Sequence, residues 1–504
     1  MTAKRFFKLT GAMCLSLGAI TANAQNYIHY SSEKDNYWKQ SNAKLSGKAT
    51  HTILDVKDAE IPNMPFKAWG ATFNELDWDA LQMLSQADRN NIVYNLFNPA
   101  GDLKFSLGRI SPGANDYARS WYSCDEVSGD LELKYFNIDR DREAIIPFIK
   151  SAQEQNPDMR FWASPWSPPS WMKINHDYPV LSSKYNNQPQ EIDYILFSGI
   201  GGEPDADEMK LTGPRDGVFP RQLATVDYFI QDPRYLQAYA NYFCKFIDEY
   251  KKEGIDIGMV MYQNEAYSYT PYPGCAWTPP SIQRFNRDYL APTLKRRHPD
   301  VKLFLGTFNT NRLDHVEDVL SDEGLRNCIS GMGFQWEGRE ILPEIRRQHP
   351  DWEYMSTESE CGWGSFDHGA GEHTFELINH YLSNGCTQYN FWNVILADNG
   401  ESPWGWKQNA LIRVDSAKGT ATFTPEYYAV KHYANFIDSG SVIEAAKGEG
   451  EDKIPVLKVK RSDGKTIIVI GNLKDSPADV TVKIGNKYLN TTLAPHSMHT
   501  FVEK

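Results

Sequence analysis

The sequence lacks the patterns that mark several classes of protein. Its formal net charge over 504 residues is −13, and the missing positive charge disfavours nucleic acid and anionic membranes as partners. Its cysteines show no metal-ligand spacing, and no Gly-rich phosphate loop follows any strand-like run. After the first 24 residues, no stretch is long and apolar enough to cross a bilayer. These absences favour a neutral partner such as a glycan.

The first 24 residues have the composition of a secretory signal peptide. Lys4, Arg5 and Lys8 form a basic start, an apolar stretch follows, and 22–24 (Ala-Asn-Ala) fits a cleavage site. The apolar run is too short for a membrane anchor, and the residues around Cys14 fit a lipid-attachment site poorly. Cleavage would leave 49 − 65 = −16 charges, because it removes three of the 52 basic residues and no acidic ones. We therefore expect a secreted or periplasmic protein.

Six cysteines remain after such a cleavage, and they are scattered along the chain. An oxidising compartment permits disulfides, but the spacing singles out no pair. In a protein of this size we expect mostly buried, reduced thiols. The six are Cys124, Cys244, Cys275, Cys328, Cys361 and Cys386.

Short apolar runs alternate with amphipathic stretches from about residue 67, which predicts strands alternating with helices. From Asp232 to Tyr250, for example, apolar residues recur three or four apart after an Asp-Pro start, as in an amphipathic helix. Eight strands with intervening helices predict an α/β fold, a closed parallel (β/α)8 barrel, with an open doubly wound sheet as the alternative. The strand candidates are 67–74, 105–113, 160–166, 258–263, 302–309, 331–336, 353–357 and 388–395, and further helix candidates are 142–155, 280–297, 340–348 and 372–383.

The pattern changes after about Ile437, where apolar runs flank an Asp-Gly turn as in a β-hairpin. This style continues to the C-terminus and predicts a small antiparallel β-sandwich, to which 48–56 can lend a strand. A long polar connection at 172–225 follows the third strand, and its length favours a role as a wall of the substrate cleft. The expected divisions are a signal peptide at 1–24, an N-terminal segment contributing to the sandwich at 25–66, a catalytic barrel at 67–437 and a β-sandwich at 438–504.

Two of the strand-like runs end in carboxylates. The run 258–263 leads into Asn264 and Glu265, and the run 353–357 leads into Glu358. Because the strands of a parallel barrel end at one face, both carboxylates should face one pocket. A pair of carboxylates across a pocket is what glycosidic bond cleavage requires. Glu265 is the predicted acid/base, and the Asn264 amide can bind a sugar hydroxyl.

The second carboxylate has two candidates, Glu358 and Glu360. Residues two apart share a face in an extended strand, but we expect the chain to turn after Glu358, which closely follows the apolar pair 354–355. Glu358 is therefore the predicted nucleophile, and Glu360 is expected to orient its neighbours. A nucleophile and an acid together imply retention of the anomeric configuration, for which the two carboxyl groups stand about 5–5.5 Å apart.

Three other motifs carry weaker signals. Ser170 and Lys173 have the spacing of penicillin-recognising enzymes but lack the companion motifs. His368 and His373 flank a Gly-Ala-Gly-Glu stretch, whose glycines favour a loop over a zinc-binding helix. The acidic run 203–208 is more typical of a solvated surface than of a calcium site.

Aromatic residues make up 13% of the chain. Several tryptophans lie beside Pro and Gly in loops, as at 162–166 and 404–406, where contact with a sugar face is favoured over core packing. Tyr267 and Trp336 lie at the ends of two predicted strands, and we include both in the predicted substrate-binding set.

Five motifs carry a resemblance to a known family. They are Arg109–Asp116, Trp162–Lys173, Gln263–Glu265, Thr357-Glu358 and Phe391–Asn393. They resemble glycoside hydrolase family 30, the glucosylceramidases, β-1,6-glucanases and related xylan- and galactan-cleaving enzymes. The resemblance runs from about Trp69 to the C-terminus, and the Trp-Ala-Ser-Pro-Trp-Ser-Pro-Pro stretch is its most specific part. It implies a (β/α)8 barrel with an attached β-sandwich, retaining chemistry and no cofactor, with Glu265 as acid/base and Glu358 as nucleophile.

The resemblance also implies roles for four pocket residues. Arg109 would stabilise the nucleophile electrostatically, and Asp116 would bind sugar hydroxyls. Trp166 and Trp392 would pack on the sugar whose bond is cleaved.

The chain departs from the family pattern at three places. It carries Gln335 where members often carry His, Phe391 where some carry Asp, and 68–71 (Ala-Trp-Gly-Ala) in place of a Gly-Phe-Gly-Gly-like turn. Both glutamates are present, so the reaction class is unaffected, whereas the sugar and its linkage stay open.

The sequence thus predicts a retaining β-glycoside hydrolase that acts on an oligo- or polysaccharide, in the first place a β-glucan, as β-1,6-glucanases or glucosylceramidases do. A β-xylan- or β-galactan-cleaving enzyme is the alternative within the family. A non-catalytic glycan-binding protein on a glycosidase barrel is the alternative outside it, and the presence of both Glu265 and Glu358 argues against it. No metal, nucleic acid or membrane insertion is expected, and the oligomeric state stays open.

Overall fold

The computed structural model describes residues 26–180, 227–268, 270–448, 450 and 452–504. The signal peptide predicted at 1–24 lies outside the described residues. So do the acidic run 203–208 and most of the polar connection predicted at 172–225 to line the cleft.

Four strands precede the barrel, and they join the C-terminal domain rather than the barrel. They are β1 (Asn26–Glu33), β2 (Asn36–Lys44), β3 (Thr52–Ile53) and β4 (Lys57–Asp58). β1 pairs antiparallel with β2 and with the last strand of the chain. β3 falls within the segment predicted to lend a strand to the sandwich. β1 and β2 lie within the segment 25–66 predicted to contribute to the sandwich, but neither was identified as a strand, because their many polar residues obscure any alternation of apolar side chains.

Eight parallel strands close into a barrel, as the alternating pattern predicts. The pairing of Ala68 with Gln388 joins the first strand to the last, which excludes the open doubly wound sheet. Each strand ends before its predicted run does, because the last residues of the run leave the sheet and turn into the mouth of the barrel. The strands are β5 (Ala68–Thr72), β6 (Leu107–Ile110), β7 (Arg160–Ala163), β8 (Ile257–Val260), β9 (Lys302–Phe308), β10 (Gly331–Phe334), β11 (Glu353–Ser356) and β12 (Cys386–Phe391).

Helices follow the barrel strands and cover the outside of the barrel. The described helices are α1 (Glu75–Gln82), α2 (Gln86–Phe97), α3 (Ile145–Gln155), α4 (Pro233–Lys252), α5 (Pro279–Arg284), a π-helical turn (Phe285–Leu290), α6 (Ala291–Arg297), α7 (Leu313–Leu320), α8 (Glu323–Arg326), α9 (Leu342–Gln348), α10 (His368–Ser383) and α11 (Pro425–Ala434). The start of α4 follows from its sequence. The Asp232 side chain accepts a hydrogen bond from the Arg234 backbone N–H, and Pro233 occupies the first turn.

The C-terminal strands form a sandwich with the N-terminal ones. The strands that follow the barrel strands are β13 (Ile395–Ala397), β14 (Ile412–Asp415), β15 (Thr420–Phe423), β16 (Val442–Lys447), β17 (Val456–Lys460), β18 (Thr466–Asn472), β19 (Ala478–Ile484), β20 (Lys487–Leu493) and β21 (Ser497–Glu503). A seven-stranded sheet has the order β2-β1-β21-β18-β17-β16-β4, and a three-stranded sheet has the order β20-β19-β3. Val480, Leu489 and Ile470 belong to one buried cluster that spans both sheets, which is the core of the predicted sandwich.

The prediction of a loop around His368 and His373 was wrong, because both residues lie in α10. The Asp367 side chain caps this helix by accepting a hydrogen bond from the Ala370 N–H. Gly371 belongs there for packing, since a Cβ at this position would lie 2.8 Å from Pro425 Cβ. Among the described residues, no group of His, Cys, Asp and Glu could hold a metal ion.

The six cysteines within the described residues are free, and all but Cys328 are buried. None of the described helices is both long and apolar enough to span a membrane.

Candidate active site

The carboxyl ends of the barrel strands bring most of the predicted site residues to one face. Arg109 lies within β6, Asn264 and Glu265 follow β8, and Glu358 follows β11. Arg109 has no exposed surface, whereas Asn264 keeps 4% and each glutamate keeps 6% of its surface accessible. The two carboxylates therefore lie at the inner end of the barrel mouth, and Arg109 lies behind them.

Both carboxylate oxygens of Glu358 accept hydrogen bonds from donor-only groups. Arg109 Nη1 donates to Oε2 at 2.5 Å in a buried ion pair. Trp336 Nε1 donates to Oε1 at 3.2 Å. An N–H of arginine or indole cannot accept a proton, so these contacts favour the ionised form of Glu358.

Glu265 differs from Glu358 in that one of its hydrogen-bond partners is a hydroxyl group. Gln335 Nε2 donates to Oε1 at 3.0 Å, and the Ser268 hydroxyl bonds Oε2 at 2.6 Å. Ser268 is itself held by Asn309, whose Nδ2 donates to Oγ at 2.6 Å. A hydroxyl can accept as well as donate, so a proton on Oε2 of Glu265 would have a hydrogen-bond acceptor.

Arg109 links the ends of several strands. Its Nη2 donates to Asn264 Oδ1 at 2.6 Å and to Ser164 Oγ at 3.1 Å, and its Nη1 also donates to the Thr357 carbonyl at 3.2 Å. Because a guanidinium only donates, the Asn264 carbonyl must face Arg109 and its amide must point away. No described residue accepts a hydrogen bond from that amide, which leaves it available to a ligand.

Three carboxyl groups share this buried region. The pKa of Glu358 is raised to about 7, by burial first and then by the charge of Glu265, while Arg109 and the Trp336 N–H act in the opposite direction. Burial also raises the pKa of Asp116 well above its ordinary value, and the charges of Glu358 and Glu265 add to the effect. Glu358 and Asp116 therefore hold a proton at higher pH than a solvent-exposed carboxyl does.

Asp116 also presents an unsatisfied polar atom. Its side chain is 4% exposed, and its Oδ1 has no hydrogen-bond partner within the described part of the chain. A buried oxygen without a partner costs free energy, and a ligand hydroxyl placed there would remove that cost.

The predicted pocket tryptophans enclose the ion pair. Trp166 and Trp392 stack with their ring centroids 5.1 Å apart, and they are 2% and 0% exposed. The Arg109 guanidinium lies 4.3 Å from the Trp166 centroid and 4.9 Å from that of Trp162. These rings exclude water from Arg109, which strengthens its interaction with Glu358.

Tyr267 lies in the main core rather than in this network. It is fully buried, and its ring contacts Phe308 and His315 with centroids 6.3 and 5.1 Å away. The contact of Tyr267 with the substrate stays a prediction.

Glu360 has partners of its own on the other side of the chain. It accepts a hydrogen bond from His373 Nε2 at 2.9 Å and forms an ion pair with Arg339. Neither partner belongs to the group around Glu358, and the role of Glu360 in orienting its neighbours stays a prediction.

Gln335 and Ser268 were not among the predicted site residues, although both contact Glu265. Gln335 drew notice only as a departure from the family pattern. Its position directly before Trp336 at a strand end is the signal that could have identified it. Glu265 and Trp336 both have φ of 49°, in the left-handed region that side chains rarely adopt. This backbone turn cannot be read from the residue types.

Comparison with known protein families divides the chain into the same two domains. The model of the glycosyl hydrolase family 30 TIM-barrel domain matches residues 66–193 and 229–437, and the model of the family's β-sandwich domain matches residues 441–501. Together these matches cover most of the chain and both of its cores.

Relatives and solved structures agree with this match. The lysosomal acid glucosylceramidase of Mus musculus is 25% identical over 86% of this chain and 80% of its own length. The endo-1,6-β-D-glucanase of Neurospora crassa is 23% identical over 94% and 93%. The structure of an endo-β1,6-glucanase superposes with a TM-score of 0.74 at 21% identity, covering 95% of this chain and 99% of its own. SrfJ of Salmonella typhimurium shares the fold with a TM-score of 0.78 at 18% identity, over 95% and 99%.

With both domains matched and two glutamates at the mouth of a closed barrel, the chain belongs to glycosyl hydrolase family 30 and is a glycosyl hydrolase with a glycan substrate.

Proposed function

We propose that this protein hydrolyses a β-1,6-linked glucan with retention of the anomeric configuration. Glu358 is the nucleophile and Glu265 is the acid/base. The observation that carries these roles is the difference between the two carboxylates. Glu358 is surrounded by donors, including the cation of Arg109, whereas Glu265 has a neighbouring hydroxyl that can accept a hydrogen bond from the protonated carboxyl.

The first half of the reaction forms a glycosyl ester. An oxygen of Glu358 attacks the anomeric carbon while the bond from that carbon to the leaving oxygen breaks. Glu265 gives its proton to the leaving oxygen and becomes a carboxylate, which the Gln335 and Ser268 donors then stabilise. Arg109 stabilises the Glu358 carboxylate before the attack, and this stabilisation weakens as the ester forms.

The second half reverses the proton transfer. The Glu265 carboxylate takes a proton from a water molecule, the water oxygen attacks the anomeric carbon, and Glu358 leaves as a carboxylate. The Asn264 amide, held with its N–H groups away from Arg109, and the unpartnered Oδ1 of Asp116 bind hydroxyls of the same sugar. Trp166 and Trp392 form the apolar wall of the pocket, and Trp336 positions Glu358.

The choice of a β-1,6-glucan rests on the relatives. The Neurospora crassa endo-1,6-β-D-glucanase aligns over 93% of its length, and an endo-β1,6-glucanase structure shares the whole fold. Hydrolysis of glucosylceramide is the competing activity, because the Mus musculus relative carries that name. The basic start, apolar stretch and small residues of 1–24 support a location outside the cytoplasm.

A substrate panel followed by NMR tests the activity. The purified enzyme is incubated with β-1,6-glucan, β-1,3-glucan, xylan, β-1,6-galactan and glucosylceramide, and the released ends are identified. β-1,6-glucan should be cleaved fastest, and proton NMR should show the β-anomer of the new reducing end first. Preference for another substrate would reject the linkage, an α-anomer would reject retention, and tight binding without turnover would identify a glycan-binding protein.

Azide rescue tests the nucleophile. With a β-glucosyl substrate that has a good leaving group, Glu358→Gly should lose activity and regain it in azide, giving the α-glucosyl azide by direct displacement. Glu360→Gly is the matched control, because it removes a carboxylate two residues away that pairs with Arg339 and His373. Rescue of Glu360→Gly, or a β-azide from Glu358→Gly, would show that the wrong nucleophile is named.

A further inference from the structure

Trp363 is the most exposed large apolar side chain among the described residues, with 67% of its surface accessible. It lies five residues after Glu358, on the loop that follows β11. Its ring contacts Trp406, whose centroid is 5.3 Å away at an interplanar angle of 59°. Trp406 lies in the connection between β13 and β14, and it packs against the buried cluster that contains Trp166 and Trp392 of the pocket wall. The outer tryptophan pair, Trp363 and Trp406, thus lies on the loop that follows Glu358 and on a second loop packed against the pocket wall.

The loop of Trp363 is fixed rather than left to move freely. Gly362 and Gly364 flank the tryptophan, both with positive φ, 60° and 80°. A Cβ at Gly362 would lie 2.8 Å from Asn409 Nδ2, and one at Gly364 would lie 2.6 Å from the Asn399 carbonyl. Only glycine permits both the backbone conformation and the close packing against the neighbouring loop.

Hydrogen bonds join the two loops directly. The Asn409 N–H donates to the Cys361 carbonyl at 2.6 Å, and the Phe366 N–H donates to Asn409 Oδ1 at 3.1 Å. Tyr117 bonds the second loop through its hydroxyl, at 2.7 Å from the Gly400 carbonyl, and its ring meets the edge of Trp392. An exposed tryptophan held this firmly beside a catalytic mouth is a surface prepared for a ligand.

We propose that the outer tryptophan pair binds a second sugar ring of the same glycan chain whose neighbouring sugar occupies the site at Glu358. This inference rests on the proposed function. A pyranose ring offers an apolar face of C–H groups of about the area of one indole. Lys407 and Glu401, an exposed ion pair with 3.6 Å between its charged atoms, lie on the same loop as Trp406 and can meet ring hydroxyls. These polar neighbours favour a sugar over a hydrocarbon chain, which needs a continuous apolar surface.

The test compares a substrate that fills one sugar site with substrates that fill several. β-Glucosyl fluoride reaches only the site at Glu358, and β-1,6-linked gluco-oligosaccharides of two to five units extend beyond it. In Trp363→Ala, kcat/KM for the oligosaccharides should fall about tenfold or more, and kcat/KM for the fluoride should stay within twofold. Trp363→Phe should retain most of the oligosaccharide activity. Tyr94→Ala, which truncates an exposed aromatic on the outer helix α2, is the matched control and should change neither value.

Three outcomes would contradict the inference that the outer tryptophan pair binds a sugar. Equal losses on both substrates would mean that Trp363 supports the fold of the site, and no loss on either would mean that no sugar binds there. A loss confined to glucosides with long alkyl chains would assign the pair to an apolar aglycone.

A binding measurement separates this inference from the proposed function. Calorimetric titration of Glu358→Gln and of Glu358→Gln/Trp363→Ala with the pentasaccharide measures how much the outer pair contributes to affinity in the absence of turnover. A tenfold weaker affinity in the double variant supports the pair, and an unchanged affinity overturns it. If the wild-type enzyme cleaves neither substrate while the double variant still loses affinity, the proposed hydrolysis fails and the sugar-binding pair stands.

Discussion

Replacing Arg109 by methionine should move the acid limb of the pH–rate profile to higher pH. In the proposed mechanism Glu358 must be ionised to attack, and the guanidinium of Arg109 is the group that most strongly opposes the effect of burial on its pKa. The ordinary pKa of such a carboxyl is 4.5, and burial raises it to about 7 in this site even with Arg109 present. Without Arg109 the neutral, inactive form of Glu358 persists to still higher pH.

The size of the shift follows from the lost contact. The ion pair joins side chains that are 0% and 7% exposed, so solvent weakens it little. A hydrogen bond to a charged group contributes about 1.5–3 kcal/mol, and one pKa unit corresponds to about 1.36 kcal/mol. The acid limb should therefore rise by about one to two pH units, measured as kcat/KM for β-glucosyl fluoride between pH 4 and pH 9.

The stability of the variant should change with pH in the same sense. When a carboxyl has a higher pKa in the folded state than in the unfolded state, the free energy of unfolding of the protein falls as pH rises between the two pKa values. Arg109→Met raises the folded value further, so its destabilisation relative to wild type should be larger at pH 8 than at pH 5. Urea unfolding at the two pH values measures this difference.

Arg140→Met is the matched control for both measurements. Arg140 pairs at 2.6 Å with Glu75, which is 1% exposed, but this pair lies outside the network of Glu358. The control should leave the acid limb in place. An unchanged or lower limb in Arg109→Met, or an equal shift in Arg140→Met, would refute the electrostatic role given to Arg109.

Two further predictions concern other parts of the chain. Gln335→Met removes the donor to Glu265, which costs about 1–2 kcal/mol of stabilisation of that carboxylate. The value of kcat/KM should therefore fall about 5- to 30-fold for oligosaccharides with poor leaving groups and less than threefold for β-glucosyl fluoride. Equal losses on both substrates would contradict a role of Gln335 through the acid. Burial lowers the pKa of His499 to about 3, so the folded state binds fewer protons than the unfolded one, and stability should fall below pH 6.5. His499→Gln should remove about 1 kcal/mol of this loss between pH 6.5 and pH 5.5, measured by urea unfolding; parallel curves for the two proteins would contradict it.

The order of elements in the barrel follows from the sequence. Each strand is a short apolar run, and the polar residues after it mark the point where the chain leaves the sheet. Because parallel strands all end at one face, the positions of Glu265 and Glu358 after two such runs were enough to predict a shared site. The hairpin at Asp463-Gly464 followed from turn chemistry in the same way.

The strands before the barrel show where local patterns fail. β1 is polar over much of its length, and it is a strand because it pairs with both β2 and β21, which lies at the far end of the chain. The helix at His368–Ser383 likewise contains two early glycines that local propensity disfavours. The Asp367 cap and the packing of Gly371 against Pro425 outweigh that preference.

The residue types alone determined the predicted class of reaction, the cleavage of a glycosidic bond. They did so through two carboxylates at strand ends, tryptophans in loops and a negative net charge suited to a neutral glycan. Tertiary structure decided which groups surround each carboxylate, because Arg109, Trp336, Gln335 and Ser268 come from different strands and loops and meet only when the barrel closes. Proton affinity depends on distances of a few ångströms in a buried space, and such distances between remote residues are not encoded in any local pattern.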